Sequence, residues 1–452
     1  MLYHSTNYKS PEVDFARAIL QGQASDKGLF MPNDIPKLKR TFISSLKRYS
    51  FQDIALKILD HTIGGAIPYK KLKQIILQAL NFEIPIERFG ANDYMCFLDR
   101  GPTSSFKDFG ARILARLLEY VLEREKKTII ILTATSGDTG GAVAQAFYKM
   151  DNIKVIILYP KNEVSNLQRK QMTTLGGNVT AIGIDGKFDD CQRLVKRAFA
   201  DSELKYINLS SANSINFGRL LPQSIYYFYS YSRVVDSIGE EVIFSVPSGN
   251  FGNLTGGLLA KKMGLPIKQF IVAVNENDEF PKFLDTGIYR KVVPSKKCIS
   301  NAMNVGHPSN LARIVDLYGG HIDENGQIIK MPHLNSMRKN IVSYSISDTE
   351  TRQMIVNFYD KFNQIIEPHG AVGWAALQKY RNRFPNSSKI KAINFETADP
   401  AKFPDEIHAL VNIEPSIPKS FKEILNKKEH LNHEIINTYR DFKVFLHNKY
   451  IE

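Results

Sequence analysis

A lysine at the start of a predicted helix is the first candidate catalytic residue in this sequence. In "GPTSSFKDFGARILARLL" (101–118), Lys107 follows Ser104 and Ser105, two residues of the type that starts helices. Free backbone N–H groups and the positive end of the helix dipole disfavour a cation in a first turn, so the neutral amine of such a lysine is accessible as a nucleophile. The alternative is an ordinary lysine that extends into solvent and pairs with Asp108.

A glycine-containing loop follows a predicted strand and opens a predicted helix in "EEVIFSVPSGNFGNLTGGLLAKKM". Its central residues Gly249, Asn250, Phe251, Gly252 and Asn253 bring several backbone N–H groups to a helix N-terminus, which is how proteins hold a phosphate dianion. The loop has neither the Gly-Lys-Ser/Thr of a Walker motif nor G-x-G-x-x-G, so it favours a small phosphate ester over ATP or NAD. A tight turn without a ligand is the alternative.

A second loop, "TSGDTGG" (135–141), has the same setting between strand and helix. Ser136, Gly137 and Thr139 offer hydroxyl and backbone donors suited to a carboxylate, whereas Asp138 needs a donor such as an ammonium or a phenolic hydroxyl. A helix-capping role for Asp138 is the alternative.

Polar residues also cluster in "NLSSANSINFGRLLPQ" (208–223). Ser211, Asn213 and Arg219 together outline a receptor for a phosphate or a carboxylate, because the arginine fork binds such anions in bidentate fashion. An arginine paired with a carboxylate at a domain surface explains the same pattern.

These segments lie in a chain that alternates strands, loops and helices. From Tyr94 onward, apolar strand-like runs such as "TIIIL" and "KVIILYP" precede helical patterns, which predicts an α/β fold with two open, mostly parallel, doubly wound sheets and ligands at the carboxyl ends of strands. The first ninety residues read as helices and loops. We therefore expect a helical N-terminal domain at 1–92, a smaller α/β domain with Lys107 and the "SGDTG" loop at 93–235, and a larger α/β domain with C-terminal helices at 236–452.

Composition places the 452-residue chain, which is 43% hydrophobic, among ordinary globular proteins. We expect a cytoplasmic protein without a membrane segment, because the apolar runs are short, no secretion signal is visible and only three scattered cysteines are present. The net charge of +13 is spread along the chain without a nucleic-acid-binding motif, so no nucleic-acid partner is expected. No metal site is expected either, since His430 and His433 have no third ligand in view.

Together, a poised lysine, a loop for a small phosphate and a loop for a carboxylate describe pyridoxal 5'-phosphate held as a Schiff base and acting on an amino acid. Thr397, in "FETADPAKFP" after a late strand, offers a partner for the pyridine nitrogen. A neutral hydroxyl at that nitrogen makes a weaker electron sink than a carboxylate, because it does not enforce protonation of the ring.

These segments, with "QASDKGLFMP", "QMTTLGGNV", "SNAMNVGHPSN" and "EPHGAVG", resemble the threonine synthases among the fold-type II pyridoxal phosphate enzymes over nearly the whole chain. The resemblance implies that Lys107 forms the Schiff base and that Thr397 meets the ring nitrogen. It also implies three sets of ligands, namely the phosphate cradle (Gly249, Asn250, Phe251, Gly252, Asn253), the carboxylate loop (Ser136, Gly137, Asp138, Thr139) and the residues facing the substrate phosphate (Ser211, Asn213, Arg219). Asp399 departs from the family, which often has a histidine there.

The resemblance further implies conversion of O-phospho-L-homoserine and water to L-threonine and phosphate, the last step of threonine biosynthesis, by a monomer or homodimer. Closure of the domain carrying "TSGDTGG" over the substrate is expected, to exclude bulk water. Alternatives are a phospho-lyase or an amino-acid dehydratase that releases 2-oxobutyrate, and a non-catalytic anion-binding protein. Arg219 disfavours the dehydratase, whose substrate carries no phosphate.

Overall fold

The computed structural model describes residues 1–431 and 438–450; His433 lies outside them. Within these residues the strands are β1 (Leu2–Ser5), β2 (Val13–Asp14), β3 (Phe30–Pro32), β4 (Ile86–Arg88), β5 (Asp93–Phe97), β6 (Ile129–Ala134), β7 (Ile153–Pro160), β8 (Val179–Ile184), β9 (Leu209–Ser210), β10 (Val242–Pro247), β11 (Ile267–Val274), β12 (His321–Ile322), β13 (Ile328–Lys330), β14 (Ile341–Ser345) and β15 (Ala392–Glu396).

The α-helices of the same residues are α1 (Phe15–Gln21), α2 (Arg40–Ser44), α3 (Phe51–Thr62), α4 (Tyr69–Ala79), α5 (Lys107–Glu125), α6 (Asp138–Phe147), α7 (Asn166–Thr173), α8 (Phe188–Ala200), α9 (Phe217–Leu220), α10 (Ile225–Val234), α11 (Gly252–Lys262), α12 (Glu279–Thr286), α13 (Leu311–Leu317), α14 (Leu334–Asn340), α15 (Asp348–Phe362), α16 (Pro368–Arg383), α17 (Pro404–Val411), α18 (Lys419–Leu425) and α19 (Tyr439–Tyr450). Across the described ranges, none of these helices combines the length and the apolar character needed to cross a membrane.

Two separate parallel sheets form the core, as the sequence predicts. The larger has six strands in the order β14-β11-β10-β15-β5-β4, parallel except for β4, and the smaller has four parallel strands in the order β8-β7-β6-β9. Along β7, Val155 and Ile157 belong to one apolar cluster while Ile156 and Leu158 belong to another. Alternate residues thus face helices on opposite sides of the sheet, and the doubly wound prediction is confirmed.

The N-terminal region is not purely helical. Strands β1, β2 and β3 form a small antiparallel sheet in the order β2-β1-β3, which the helix-and-loop interpretation of the first ninety residues missed. These strands have only two to four residues, too few for a period-2 pattern to be visible. The domain boundaries at 92 and 235 stay predictions, although β5, placed in the smaller domain from sequence, pairs with β15 of the larger sheet.

The topology brings the chemically suited segments together. The Lys107 segment follows β5, "SGDTG" follows β6, "SANS" (211–214) follows β9, "SGNFGN" follows β10 and Thr397 follows β15. Each of these strands lies in a parallel sheet, so the segments emerge at carboxyl ends of strands, where α/β folds bind their ligands.

Candidate active site

One cleft between the two sheets collects most of the predicted site residues. It is lined by Lys107, Ser136, Asp138, Thr139, Asn213, Arg219, Gly249, Asn250, Phe251, Gly252, Asn253 and Thr397. Gly137 and Ser211 are the two predicted residues that do not line it. Gly137 faces the Gln168 side chain, and the Ser211 hydroxyl accepts a hydrogen bond from the Asn213 N–H, so both act on the shape of the neighbouring loops.

Lys107 is the first residue of α5, and its side chain is 15% exposed. Its Nζ lies 3.7 Å from Asp138 Oδ2. Burial lowers the pKa of the Lys107 ammonium, and Lys402 and Arg219 act in the same direction against the attraction of Asp138. Asp108 does not pair with Lys107 but accepts hydrogen bonds from the Thr103 N–H and hydroxyl, so the solvent-exposed alternative for Lys107 is wrong.

The helix start differs in one detail from the sequence prediction. The N-cap of α5 is Phe106 and not Ser104 or Ser105, and the Phe106 side chain makes no capping hydrogen bond. Ser104 has a positive φ of 49°. The Phe106 N–H donates to the Thr397 carbonyl at 2.9 Å, which joins the start of α5 to the end of β15.

Asp138 has the ammonium partners that its sequence setting requires, and one of them is unexpected. Lys402 Nζ donates to Asp138 Oδ1 at 2.9 Å, and the Gln168 amide donates to the same oxygen at 3.0 Å. The Lys402 side chain is fully buried. Lys402 and Lys107 hold the pKa of Asp138 well below its usual range although burial alone raises it. Asp138 is therefore an anion between two lysines and makes no capping bond to its own helix.

The "SGNFGN" loop has the geometry of an anion cradle. Helix α11 begins at Gly252, so the N–H groups of its first turn have no partner within the helix. Gly249 lies so close to its neighbours that a Cβ would come within 2.7 Å of the Ala302 carbonyl oxygen, and Phe251 has a left-handed φ of 59°. The Asn253 side-chain Nδ2 is buried without a hydrogen-bond partner.

Arg219 is buried, 4% exposed, and its Nε has no hydrogen-bond partner. Its Nη1 donates to the Ala212 carbonyl. Burial lowers the pKa of Arg219 to about 10. A buried guanidinium with an unused donor beside a cleft is suited to bind an anion from solution, and the alternative of a surface ion pair is wrong.

Thr397 contacts a cluster of buried carboxyl side chains. Its hydroxyl donates to Glu367 Oε1 at 3.2 Å, and His369 Nδ1 lies 2.5 Å from Glu367 Oε2. Glu396 Oε1 accepts from the Glu367 N–H at 2.7 Å. Asp99 is buried beside them, with a pKa raised to about 7 chiefly by desolvation.

Asp399, the residue that departs from the family pattern, caps a short 3-10 helix at 400–402. Its Oδ1 accepts from the Ala401 N–H at 2.8 Å, and its Oδ2 lies 3.9 Å from Arg100 Nη1. Burial raises the pKa of Asp399.

Several cleft residues escaped the sequence interpretation. Ser214 lines the cleft, and its hydroxyl oxygen accepts from the Asn250 and Asn310 amides at 2.8 and 3.1 Å, which leaves its own proton available to an anion. His369 also lines the cleft. The one available signal was the "EPHG" sequence itself, in which Glu367 is an N-cap and Pro368 the first helical residue.

The residues fit pyridoxal 5'-phosphate. The cradle at α11 suits its phosphate, since the backbone approaches closely and the buried Asn253 amide lacks a partner. Lys107 has an amine with a lowered pKa that would suit its aldehyde, and Thr397 lines the same cleft with a hydroxyl group that would suit its ring nitrogen. The fold and the cleft therefore define a pyridoxal phosphate-dependent enzyme of the α/β class.

Comparison with known proteins gives the same class and a narrower group. Residues 87–395 match the model of the pyridoxal-phosphate dependent enzymes, residues 2–80 that of the threonine synthase N terminus, and residues 370–438 that of the threonine synthase C-terminal region. A threonine synthase from Escherichia coli (strain K12) is 40% identical over 413 residues, covering 91% of each chain. One from Saccharomyces cerevisiae is 34% identical and covers 90% of this chain and 88% of its own.

Solved structures agree. The crystal structure of threonine synthase from Escherichia coli has a TM-score of 0.89 at 36% identity and covers 99% of this chain and 100% of its own. That of PLP-bound threonine synthase from Brucella melitensis has a TM-score of 0.90 at 33% identity, with 99% of both chains covered. The chain belongs to the threonine synthase family, and the predictions of fold class, cofactor and enzyme class are confirmed.

Proposed function

We propose that this cleft converts O-phospho-L-homoserine and water to L-threonine and phosphate with the residues assigned above. The observation that carries the proposal is a lysine of lowered pKa, an anion cradle and an unpaired buried arginine around one cleft. The cradle takes the cofactor phosphate, and Arg219 lies on another part of the wall, where it takes the substrate phosphate. Asn213 lines the same cleft, and Ser214, which also lines it, contacts Asn250 of the cradle.

Bound pyridoxal phosphate supplies an electron sink for an amino acid attached to it. Lys107 would hold the cofactor through its Nζ. Its neutral amine also does the proton work on the substrate, where it takes the Cα proton and then moves protons at Cβ and Cγ. Lysine with a lowered pKa is suited to this role, because its neutral form is populated closer to neutral pH.

Anionic groups of the substrate are held by donors around Lys107. Arg219 binds the phosphate that leaves Cγ, and Ser136 and Thr139, at the start of α6, orient the α-carboxylate. Gly137 lies in the same loop. Because it has no side chain, the Gln168 amide can approach Asp138 and donate to it. Asp138 stays an anion held by Lys402 and balances the charge of Lys107.

Water has to reach Cβ late and in a controlled way, because early hydrolysis of the unsaturated substrate would release 2-oxobutyrate. We propose that the segment carrying "TSGDTGG" closes over the substrate. Its Asp138 is tied to Lys402, which follows the larger sheet, so the ion pair links the two walls of the cleft.

The test is a product balance. The holoenzyme, the Lys107→Ala variant and the exposed control Lys127→Ala are given O-phospho-L-homoserine, and threonine, 2-oxobutyrate and phosphate are measured together. We expect threonine equal to phosphate in the wild type and in Lys127→Ala, and neither product from Lys107→Ala. Phosphate accompanied by 2-oxobutyrate would make the enzyme a phospho-lyase, and the absence of both products would contradict the substrate assignment.

We also propose that the protein acts as a monomer or homodimer in the cytoplasm, without a nucleic-acid partner. Its basic residues are spread along the chain, and Cys96, Cys191 and Cys298 are free and buried, as suits a reducing compartment. Sedimentation equilibrium of the holoenzyme, with and without duplex DNA, tests the assembly and the nucleic-acid statement.

A further inference from the structure

The single proton of the Thr397 hydroxyl is already committed within the protein. Thr397 Oγ1 donates to Glu367 Oε1 at 3.2 Å, and Thr397 lines the cleft whereas Glu367 does not. A hydroxyl has one proton and two lone pairs. Thr397 therefore presents lone pairs to the cleft, and a ring nitrogen can form a hydrogen bond with it only by donating.

Four donors, Thr397 among them, point at the two oxygens of Glu367. Oε1 also accepts from the Gly370 N–H at 3.0 Å, while Oε2 accepts from the His369 N–H at 2.7 Å and from His369 Nδ1 at 2.5 Å. Both oxygens of Glu367 therefore act as hydrogen-bond acceptors in all of these contacts. Glu367 itself is fully buried and acts on the cleft only through its neighbours.

His369 does not cancel the negative charge of the Glu367 carboxylate. Its Nε2 accepts a hydrogen bond from the Ala302 N–H at 3.1 Å, so that nitrogen carries no proton. The one ring proton is then on Nδ1 and points to Glu367. The pair of Glu367 and His369 thus keeps one negative charge behind Thr397.

Further carboxyl groups surround the pair. Asp99, Glu396 and Asp399 are buried in the same wall, and desolvation raises the pKa of each of them. Arg100 Nη1 approaches two of them, at 3.5 Å from Asp99 and 3.9 Å from Asp399, with its own side chain 40% exposed. This wall therefore places several buried carboxyl groups behind Thr397, and burial favours the neutral forms of Asp99, Glu396 and Asp399.

Given the proposed placement of Thr397 at the ring nitrogen, on which this inference rests, we propose that Glu367 is a positioning residue that acts through Thr397 to keep the ring nitrogen of bound pyridoxal phosphate protonated. A threonine alone leaves that nitrogen free to stay neutral. A threonine whose proton belongs to a buried carboxylate accepts a hydrogen bond from the protonated ring and disfavours the neutral ring. The cofactor in this enzyme is then a strong electron sink, contrary to the expectation from the threonine alone.

The test uses holoenzyme loaded with pyridoxal phosphate labelled with ¹⁵N in the ring, whose chemical shift separates the protonated from the neutral nitrogen. Three variants are compared with the wild type. Glu367→Gln removes the carboxylate charge in either orientation of the amide and leaves the donors at one of the two former oxygens without an acceptor, because Thr397 donates to Oε1 and His369 contacts Oε2. Thr397→Val removes the hydroxyl at similar volume, and Thr397→Ser keeps it.

We expect a protonated-ring shift in the wild type and in Thr397→Ser, and a shift toward the neutral ring in Glu367→Gln and Thr397→Val. We also expect kcat to fall about ten- to a hundredfold in Glu367→Gln, as for loss of a hydrogen bond to a charged group, with KM little changed because Glu367 does not line the cleft. A neutral ring in the wild type, or a ring still protonated in Glu367→Gln, would overturn the inference.

The wild-type measurement alone decides the protonation state, so a variant that fails to fold does not remove the test. The spectrum requires only that the cofactor bind, whereas the proposed reaction is scored by threonine formation in a parallel assay. If the ring is protonated and responds to Glu367→Gln but the enzyme forms no threonine, the inference is supported and the proposed reaction is contradicted. Threonine formation with a neutral ring would do the reverse.

Discussion

Lys402 Nζ lies 2.9 Å from Asp138 Oδ1, and both side chains are buried. The two residues are 264 positions apart in the sequence. Lys402 follows β15 of the six-stranded sheet, and Asp138 opens α6 after β6 of the four-stranded sheet. A buried ion pair thus joins the two sheets at the edge of the cleft and also sets the charge next to Lys107.

Removing one partner of this pair should cost much stability. Lys402→Met leaves the buried Asp138 with the Gln168 amide and the more distant Lys107 amine at 3.7 Å, and we expect the free energy of unfolding to fall by about 3 kcal/mol. Urea denaturation measures the change. Lys268→Met, which breaks an exposed pair with Glu241, should lose less than about 1 kcal/mol.

A double variant separates the pair from general damage to the fold. Lys402→Met combined with Asp138→Asn removes both charges, so its loss should be smaller than the sum of the two single losses. Strictly additive losses, or a Lys402→Met loss no larger than that of the exposed control, would contradict the importance of this pair.

The acidic wall predicts a pH dependence of stability. The folded-state pKa of Asp99 is about 7, above that of the unfolded chain, so the contribution of this group is present at low pH and is lost as pH rises toward 7. Asp99→Asn removes the titration. Between pH 5 and pH 8 the wild type should therefore lose roughly 2–3 kcal/mol more than the variant.

Urea unfolding at the two pH values gives this difference directly. The exposed Asp185→Asn variant is the matched control and should follow the wild type. A wild type and an Asp99→Asn variant with parallel pH profiles would show that Asp99 is ionised throughout, against the burial that surrounds it.

Arg219 should act on the substrate more than on the cofactor. Its unpaired Nε and its burial make it a phosphate ligand, so Arg219→Gln should raise KM for O-phospho-L-homoserine about ten- to a hundredfold. Arg219→Lys keeps the positive charge but not the bidentate guanidinium, so its KM should lie between those of the wild type and of Arg219→Gln. Steady-state kinetics with inhibition by inorganic phosphate measure both effects, and an unchanged KM together with weakened cofactor binding would move Arg219 to the cofactor.

Adding one methyl group at Gly249 tests whether the "SGNFGN" loop binds the cofactor phosphate. In Gly249→Ala the new Cβ would lie 2.7 Å from the Ala302 oxygen and 2.8 Å from the Met303 Cα, both backbone atoms that do not give way easily. We expect at least about tenfold weaker cofactor binding, because the loop has to shift. Absorbance titration of the apoenzyme measures it, with Gly90→Ala, whose neighbour is the Asp93 side chain, as the control. Equal affinities in the two variants would argue against the cradle.

The sequence predicts the parts of the fold and site that depend on neighbouring residues. The glycine loops, the Lys107 helix and the alternation of strand and helix are local patterns, and the structure has them in place. Phe109, Ile113 and Leu117 form the buried face of α5, and their spacing of four residues is the local pattern of a helix with one apolar side.

Long-range partners could not be predicted in this way. Lys402 looks like an ordinary lysine in "TADPAKFP", and only the order of strands in space brings it to Asp138. Glu367 reaches Thr397 across 30 residues through the same topology. The small N-terminal sheet was missed for a different reason, since its strands are too short to show a period.

The central claim is that Lys107, and not its buried neighbour Lys402, carries the cofactor. Reduction of the holoenzyme with borohydride fixes the cofactor to whichever lysine holds it, and mass spectrometry of the digested chain identifies the modified peptide. We predict the pyridoxyl group on Lys107 alone, with Lys402 unmodified. A modified Lys402, or an unmodified Lys107 in a fully loaded enzyme, would contradict the account.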